Sequence, residues 1–247
     1  MLETKTYARP RVPRLAVVVP CHDEEAMLPV TLATLTALID DLVAERLAAP
    51  DSHVCCVEDG SRDRTWGVIC EHAQRSPRVR GLRLTRNFGQ QGAMLAGLLE
   101  ADADVYVTID ADLQDDETKI RDMILRYRDG YDVVYGVRAS RAKDSWFERN
   151  TALAFYRFLN MIGGRVVHNH CDFRLMSRGV IERLRGFGES NLFLRGLIPM
   201  VGLPSTSVTY DRRARQAGET KYSPVRLVAL AWEAITSLSV APLRFVT

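Results

Sequence analysis

A chain of 247 residues, 47% hydrophobic and 26% charged, can bury one sizeable core, and its composition excludes a disordered or low-complexity protein. The formal charge of +2 conceals a split: residues 1–137 hold 16 Lys/Arg against 23 Asp/Glu, whereas residues 138–226 hold 16 against 7. A basic half suits an anionic partner, either phosphate groups or an acidic membrane surface; because its cations are not interleaved with stacking aromatics, nucleic acid is excluded.

The chain opens on a polar arm, MLETKTYARPRVPR, with no apolar run of the kind a secretory signal needs, which predicts a cytosolic N-terminus. Five cysteines with no C-x-x-C pair predict reduced core thiols, with Cys55 and Cys56 on opposite faces of one strand. LAVVVP (15–20) is a β-branched run that predicts a buried parallel strand, followed by a helix with Leu28, Leu32, Leu35 and Leu38/Ile39 on one face. HVCCVEDGS predicts a second strand and GLRLTRN a third. GQQGAMLAGLLEA predicts a small-residue helix able to pack closely on a sheet. DVYVTIDAD predicts a fourth strand, a helix spans about 117–128, and YDVVYG is a fifth strand.

Strands alternating with helices at this spacing imply right-handed crossovers and a mostly parallel, open α/β sheet covered on both faces. Ligands bind such sheets outside the carboxyl ends of the strands, where this sequence places Asp23-Glu24-Glu25, Glu58-Asp59 and Asp110-x-Asp112. Beyond residue 140, a helix around 146–162, a Gly- and His-rich loop, the segment CDFRLMS, two short apolar helices and the alternating STSVTY are expected as additions around the sheet.

IDADLQDDE (109–117) places five carboxylates and an amide directly behind an apolar strand. Side chains alternate along an extended segment, so Asp110, Asp112 and Gln114 face one way and call for a cation; hard oxygen donors suit Mg²⁺ or Mn²⁺. Asp115, Asp116 and Glu117 are expected to complement the dipole of the following helix. With no G-x-x-x-x-G-K-[ST] loop and no G-x-G-x-x-G after the first strand, a phosphate-bearing donor has to be held chiefly by that metal.

VVVPCHDEEAML, VEDGSRDRT, LTRNFGQQGAMLAGL, DADLQD, CDFRLMS, NLFLRGL and RRARQAGETKYS occur in this order. In that order and spacing the chain resembles glycosyltransferase family 2, in particular the bacterial polyprenyl-phosphate glycosyltransferases, and is similar to dolichyl-phosphate mannose synthase. The resemblance covers about residues 14–244. It implies a GT-A fold, with a catalytic domain over 14–222 divided into a Rossmann-like nucleotide-sugar half (14–137) and an acceptor half (138–222). Nucleotide-binding positions fall on Pro20, His22, Glu24, Asp59 and Asp110, and the metal and diphosphate motif on Asp110, Asp112 and Gln114. The chain departs from the family pattern at His22-Asp23-Glu24, at Glu58-Asp59 and at Asp115-Asp116-Glu117, which leaves the base open.

The activity so implied is inverting transfer of a hexose from a UDP- or GDP-sugar, UDP-glucose or similar, to polyprenyl phosphate at the cytoplasmic face of the inner membrane, with Asp112, Asp172 and Arg149 as catalytic residues. A phosphate acceptor needs cations to align it, and the candidates are Arg138, Arg149, Arg212, Arg215 and Lys221. Asp172 is open between a base and a structural partner of Arg174, and His168 with His170 forms an H-x-H expected to serve a loop. Residues 223–247 predict an interfacial amphipathic helix, or a core helix of the same domain; related chains commonly continue past PLR into two transmembrane helices, so the sequence ending at Thr247 is either a truncated form or a member that rests on the membrane. Homo-oligomerisation is left open. The alternatives are a family 2 enzyme acting on a saccharide or protein hydroxyl, and a non-catalytic nucleotide-sugar-binding membrane adaptor.

Overall fold

The structure, a computed structural model, describes residues 9–139, 170–186 and 194–213. In chain order the elements are β1 (Leu15–Cys21), α1 (Leu28–Ala44), β2 (His53–Glu58), α2 (Thr65–Arg75), β3 (Val79–Arg83), α3 (Gln90–Glu100), β4 (Val105–Thr108), α4 (Lys119–Arg128) and β5 (Val133–Arg138). The second part supplies β6 (His170–Ser177), α5 (Arg178–Arg185), α6 (Leu194–Met200) and β7 (Ser205–Tyr210). Among the described residues the strands form one sheet in the order β3-β2-β1-β4-β6-β5-β7.

β1 pairs in parallel with β2 and β4, β2 with β3, and β5 with β7. The apolar runs that predict β1, β2 and β4 are buried on both faces, as central parallel strands under helices must be, whereas the edge strands β3 and β7 are partly exposed. Val17, Val19 and Cys56 join α1, α2 and α4 in one core, while Val18, Cys55 and Val57 join α3, α5 and α6 in the other. Cys55 and Cys56 thus face opposite sides of the sheet.

CDFRLMS and STSVTY are corrections to the expected outline, since both are strands of the sheet itself. β6 runs antiparallel between β4 and β5, pairing Val107 with Leu175 and Val134 with Leu175, and β7 forms the edge beside β5. Phe173 and Leu175 fill the core of α1, α2 and α4, and Met176 fills the opposite one. The charged residues between them mask the strand in the sequence; Arg174 is only 1% exposed, and Asp172 pairs with it.

α3 packs closely on the sheet because it is rich in small residues. A Cβ on Gly97 would lie 2.5 Å from Val18 Cγ1 and 2.7 Å from Val57 Cγ2, with little room for either to move. Gly97→Ala is therefore expected to destabilise the fold by about 1–3 kcal/mol despite its better helix propensity, read as a lower urea midpoint at unchanged m-value.

At the opposite end of the strands, His53 is 1% exposed, and its Nε2 has no hydrogen-bond partner. Burial, reinforced by the positive charge of Arg80, lowers its pKa to about 4. The unfolded chain binds this proton near pH 6.5, so the contribution of neutral His53 is complete above that pH and is lost as pH falls toward 4. Urea unfolding at pH 7.5 and 5 should show a loss on the order of 2 kcal/mol assignable to His53, and His53→Gln should remove that part of the pH dependence.

Candidate active site

The sheet order brings the carboxyl ends of β2, β1 and β4 side by side, so the loops that follow them share one edge. After β1, His22 places its Nδ1 2.8 Å from the Asp59 carbonyl oxygen, and the Asn87 amide nitrogen lies 3.1 and 3.2 Å from the two ring nitrogens. The next loop residues are zipped to the loop after β2: the Arg62 N–H donates to Asp23 at 2.8 Å and the Glu24 N–H to Thr65 Oγ1 at 2.9 Å. Asp59 is buried and accepts the Phe88 N–H at 2.7 Å.

Glu58, also buried, accepts the Ser61 N–H and pairs with Arg83 at 3.2 Å. Gly60 lets this loop approach the segment before α3: its φ is +65°, and a Cβ there would lie 2.5 Å from the Asn87 nitrogen. A cleft of about 600 Å³ opens between them, lined by Glu58, Gly60, Ser61, Arg83, Thr85 and Asn87 among others. Its size falls in the range of small-molecule sites.

Beyond β4 the chain turns instead of staying extended, with Leu113 at a φ of +51°, yet burial still alternates. Ala111 and Leu113 are buried, while Asp110, Asp112 and Gln114 lie on the more open face. Thr31 of α1 fixes this segment from below by donating its hydroxyl to the Ala111 carbonyl at 2.6 Å. Gln90, the first residue of α3, donates to Asp110 at 2.7 Å, and the Gln114 N–H donates to Asp112 at 3.2 Å.

Burial, then the negative charges of Asp172, Asp115 and Asp112, push the Asp110 carboxyl up to about 7. Two carboxylates and an amide gathered in one half-open set of hard oxygen donors fit a hard divalent cation. Among the described residues no three His, Cys, Asp or Glu side chains form a self-sufficient metal cage. Two carboxylates and an amide leave coordination positions for phosphate oxygens, as Mg²⁺ commonly requires.

Asp115, Asp116 and Glu117 precede α4 as expected, and Asp116 accepts the Thr118 N–H at 3.2 Å there, but the three acids also tie the chain together. α4 begins only at Lys119, and all three acids accept side-chain donors from the far part of the chain. Tyr210 and Arg138 meet Asp115 at 2.5 and 3.3 Å, while Arg213 pairs with Asp116 at 3.0 Å and with Glu117 at 2.7 Å. Arg212 donates to the Gln114 side-chain oxygen. The chain after β7 is thereby pinned to the acidic motif, and Arg138 and Arg212 stand at its border.

Asp172 is buried beneath this motif. Arg174 at 2.5 Å and Arg195 Nε at 3.0 Å donate to one oxygen; Arg195 Nη2 at 2.9 Å and the Gln91 amide at 3.1 Å donate to the other. Burial alone would raise this carboxyl, but Arg174 and Arg195 outweigh it and hold Asp172 well below the usual carboxylate range. The pairing with Arg174 is thus present, and four donors occupy the carboxylate. Gln90, Gln91 and Arg195 escaped the sequence analysis, although an arginine inside the apolar run Leu194–Met200 is a signal that could have found one of them.

The structure brings Pro20, His22, Glu24, Asp59, Asp110, Asp112, Gln114, Asp172, Arg138 and Arg212 to this edge of the sheet or its rim. Arg149, Arg215, Lys221 and His168, the helix expected around 146–162 and the tail 223–247 lie outside the described residues. Among the described residues no helix is long and apolar enough to cross a membrane.

Residues 16–185 match the sequence family described as Glycosyl transferase family 2. The chain is 49% identical over 95% of its length to an uncharacterized glycosyltransferase of Bacillus subtilis, YkoT, of which it spans 70%. It is 37% identical to the bactoprenol glucosyl transferase of Shigella phage SfV, covering 94% of this chain and 74% of that protein. Among solved structures it is similar to a mannosyltransferase of Pyrobaculum calidifontis in complex with GDP-Man and Mn²⁺, with a TM-score of 0.59, 19% identity and coverage of 84% of this chain and 59% of that one. It is also similar to glucosyl-3-phosphoglycerate synthase of Mycobacterium tuberculosis in complex with Mn²⁺ and UDP, with a TM-score of 0.53, 17% identity and coverage of 94% and 85%. These likenesses establish a GT-A type fold.

Proposed function

The chain belongs to glycosyltransferase family 2, and we propose that it moves a hexose from a nucleotide diphosphate sugar to a polyprenyl phosphate at the cytoplasmic face of the inner membrane. The observation that carries this is the Asp110, Asp112 and Gln114 face, whose hard oxygen donors on one half-open side suit a divalent ion shared with a diphosphate. The 37% identity to a bactoprenol glucosyl transferase supports a polyprenyl phosphate acceptor and favours glucose as the sugar.

Asp110, Asp112 and Gln114 would hold Mg²⁺ or Mn²⁺, which when bound neutralises the charge growing on the departing diphosphate. Pro20, His22, Glu24, Asp59 and the cleft beside Asn87 receive the base and ribose. In the transfer, an acceptor phosphate oxygen forms the bond to the anomeric carbon as the bond to the donor's diphosphate breaks. The electron pair leaves on the nucleoside diphosphate, and the anomeric configuration inverts. A phosphate monoester, with a second pKa of about 6, is already anionic near neutral pH, so no strong base is required. That agrees with an Asp172 carboxylate fully occupied by Arg174, Arg195 and Gln91. Arg138, Arg149, Arg212, Arg215 and Lys221 align the acceptor. Residues 14–222 act as the catalytic domain, and residues 223–247 rest on the membrane.

A panel of radiolabelled UDP- and GDP-sugars, incubated with undecaprenyl phosphate and Mn²⁺, tests the assignment. One donor should label the lipid fraction. Donor turnover with label only in water-soluble products would exclude the lipid acceptor.

A further inference from the structure

Among the described residues, Arg195 is a guanidinium at the floor of the site that pairs with neither Asp115, Asp116 nor Glu117 of the acidic motif. It stands second in α6, a helix otherwise built from Leu, Gly, Ile, Pro and Met. Its fork grips both oxygens of Asp172, at 3.0 and 2.9 Å, yet its side chain is 36% exposed. Arg174, on the same carboxylate, is 1% exposed.

Asp172, Arg174 and Arg195 together carry one net positive charge. Since Arg174 is buried against Asp172, the outward-facing cation of the three is Arg195. Its charge reaches Asp110, where it opposes the surrounding carboxylates. Beside it, the Gln91 Oε1 is buried with no hydrogen-bond partner, an acceptor suited to a hydroxyl. A planar guanidinium locked in one rotamer, half-open and next to a cation-demanding motif, is preorganised for an anionic oxygen.

We propose that Arg195 contacts substrate by binding a phosphate oxygen, and that Asp172 is the positioning residue that fixes its guanidinium. This rests on the transferase assignment above, in which two phosphates meet at the site: the donor's diphosphate and the acceptor's monophosphate. Either supplies the same chemistry. Asp172 then acts through Arg195 and not as a base.

The test uses the full chain with Arg195→Ala and Arg195→Lys, both of which leave the Asp172–Arg174 pair in place and so preserve the fold. Each is titrated calorimetrically with UDP and with GDP in Mn²⁺, and separately with citronellyl phosphate. Arg195→Ala should weaken at least one ligand by about 10- to 100-fold, the span of a lost hydrogen bond to a charged group, and Arg195→Lys should recover part of it. A loss confined to the nucleotide assigns the donor diphosphate; a loss confined to citronellyl phosphate assigns the acceptor.

Asp172→Asn should weaken the same ligand, and the Arg195→Ala/Asp172→Asn double variant should be no weaker than Arg195→Ala alone. Affinities of Arg195→Ala all within twofold of wild type would overturn the proposal. The two claims separate cleanly. If wild type transfers no sugar to polyprenyl phosphate but Arg195→Ala loses nucleotide affinity, the acceptor assignment fails and the role of Arg195 stands; if transfer proceeds and every affinity is unchanged, the reverse holds.

Discussion

Asp110→Asn is expected to lower metal-dependent kcat by about 10²- to 10³-fold, the usual loss when one electrostatic partner of a developing charge is removed. The same substitution should make the metal-free protein no less stable, and at pH 8 more so. The Asp110 carboxyl is raised in the fold by burial and by Asp172, Asp115 and Asp112. Its ionisation therefore works against folding, by an amount that grows as pH rises from the unfolded value near 4 toward 7. An asparagine keeps an oxygen for the Gln90 amide and carries no charge. A gain of about 1 kcal/mol would appear in EDTA at pH 8 as a rise of about 2–4 °C in Tm. Mn²⁺ should raise the Tm of wild type and leave that of Asp110→Asn nearly unmoved. A substitution that removes activity while stabilising the apoprotein separates a metal-binding carboxylate from one that serves the fold.

Asp172→Asn should behave in the opposite way. It leaves Arg174, 1% exposed, without its anionic partner, and breaking a buried pair from one side costs about 3–5 kcal/mol. Denaturant unfolding at pH 7.5 would show a lower midpoint at unchanged m-value. Because Arg174 and Arg195 hold the folded pKa below that of the unfolded chain, the stabilisation from Asp172 is present above about pH 4 and fades as pH falls further. The difference between wild type and Asp172→Asn should accordingly shrink on acidification. An Asp172→Asn protein as stable as wild type, with nucleotide and citronellyl phosphate affinities retained but activity abolished, would instead mark Asp172 as a base.

These two aspartates also show what the sequence makes legible. β1, β2, β4 and β5 follow from apolar runs, and the buried and open positions alternate through Asp110, Asp112 and Gln114 as a two-residue period suggests, although the chain turns there and Leu113 takes a φ of +51°. β6 does not follow, since Asp172 and Arg174 interrupt its apolar pattern and only their mutual burial makes a central strand of it. Asp115, Asp116 and Glu117 resemble an acidic helix start, but Tyr210, Arg138 and Arg213, some 20 to 100 positions away, take them up. Gln91 and Arg195 acquire roles only because α3 and α6 flank the same strand end. Pairings across such separations leave no periodic trace.

The measurement that tests the central claim most directly compares undecaprenyl phosphate with undecaprenol as acceptors for the preferred radiolabelled sugar donor, in Mn²⁺ and in EDTA. Label should enter undecaprenyl phosphate in Mn²⁺ alone, with no transfer to the alcohol, because the proposed mechanism uses the phosphate oxygen as nucleophile and Asp172, the candidate base among the described residues, is held by four donors. Equal labelling of undecaprenol, or transfer undiminished by EDTA, would contradict the account.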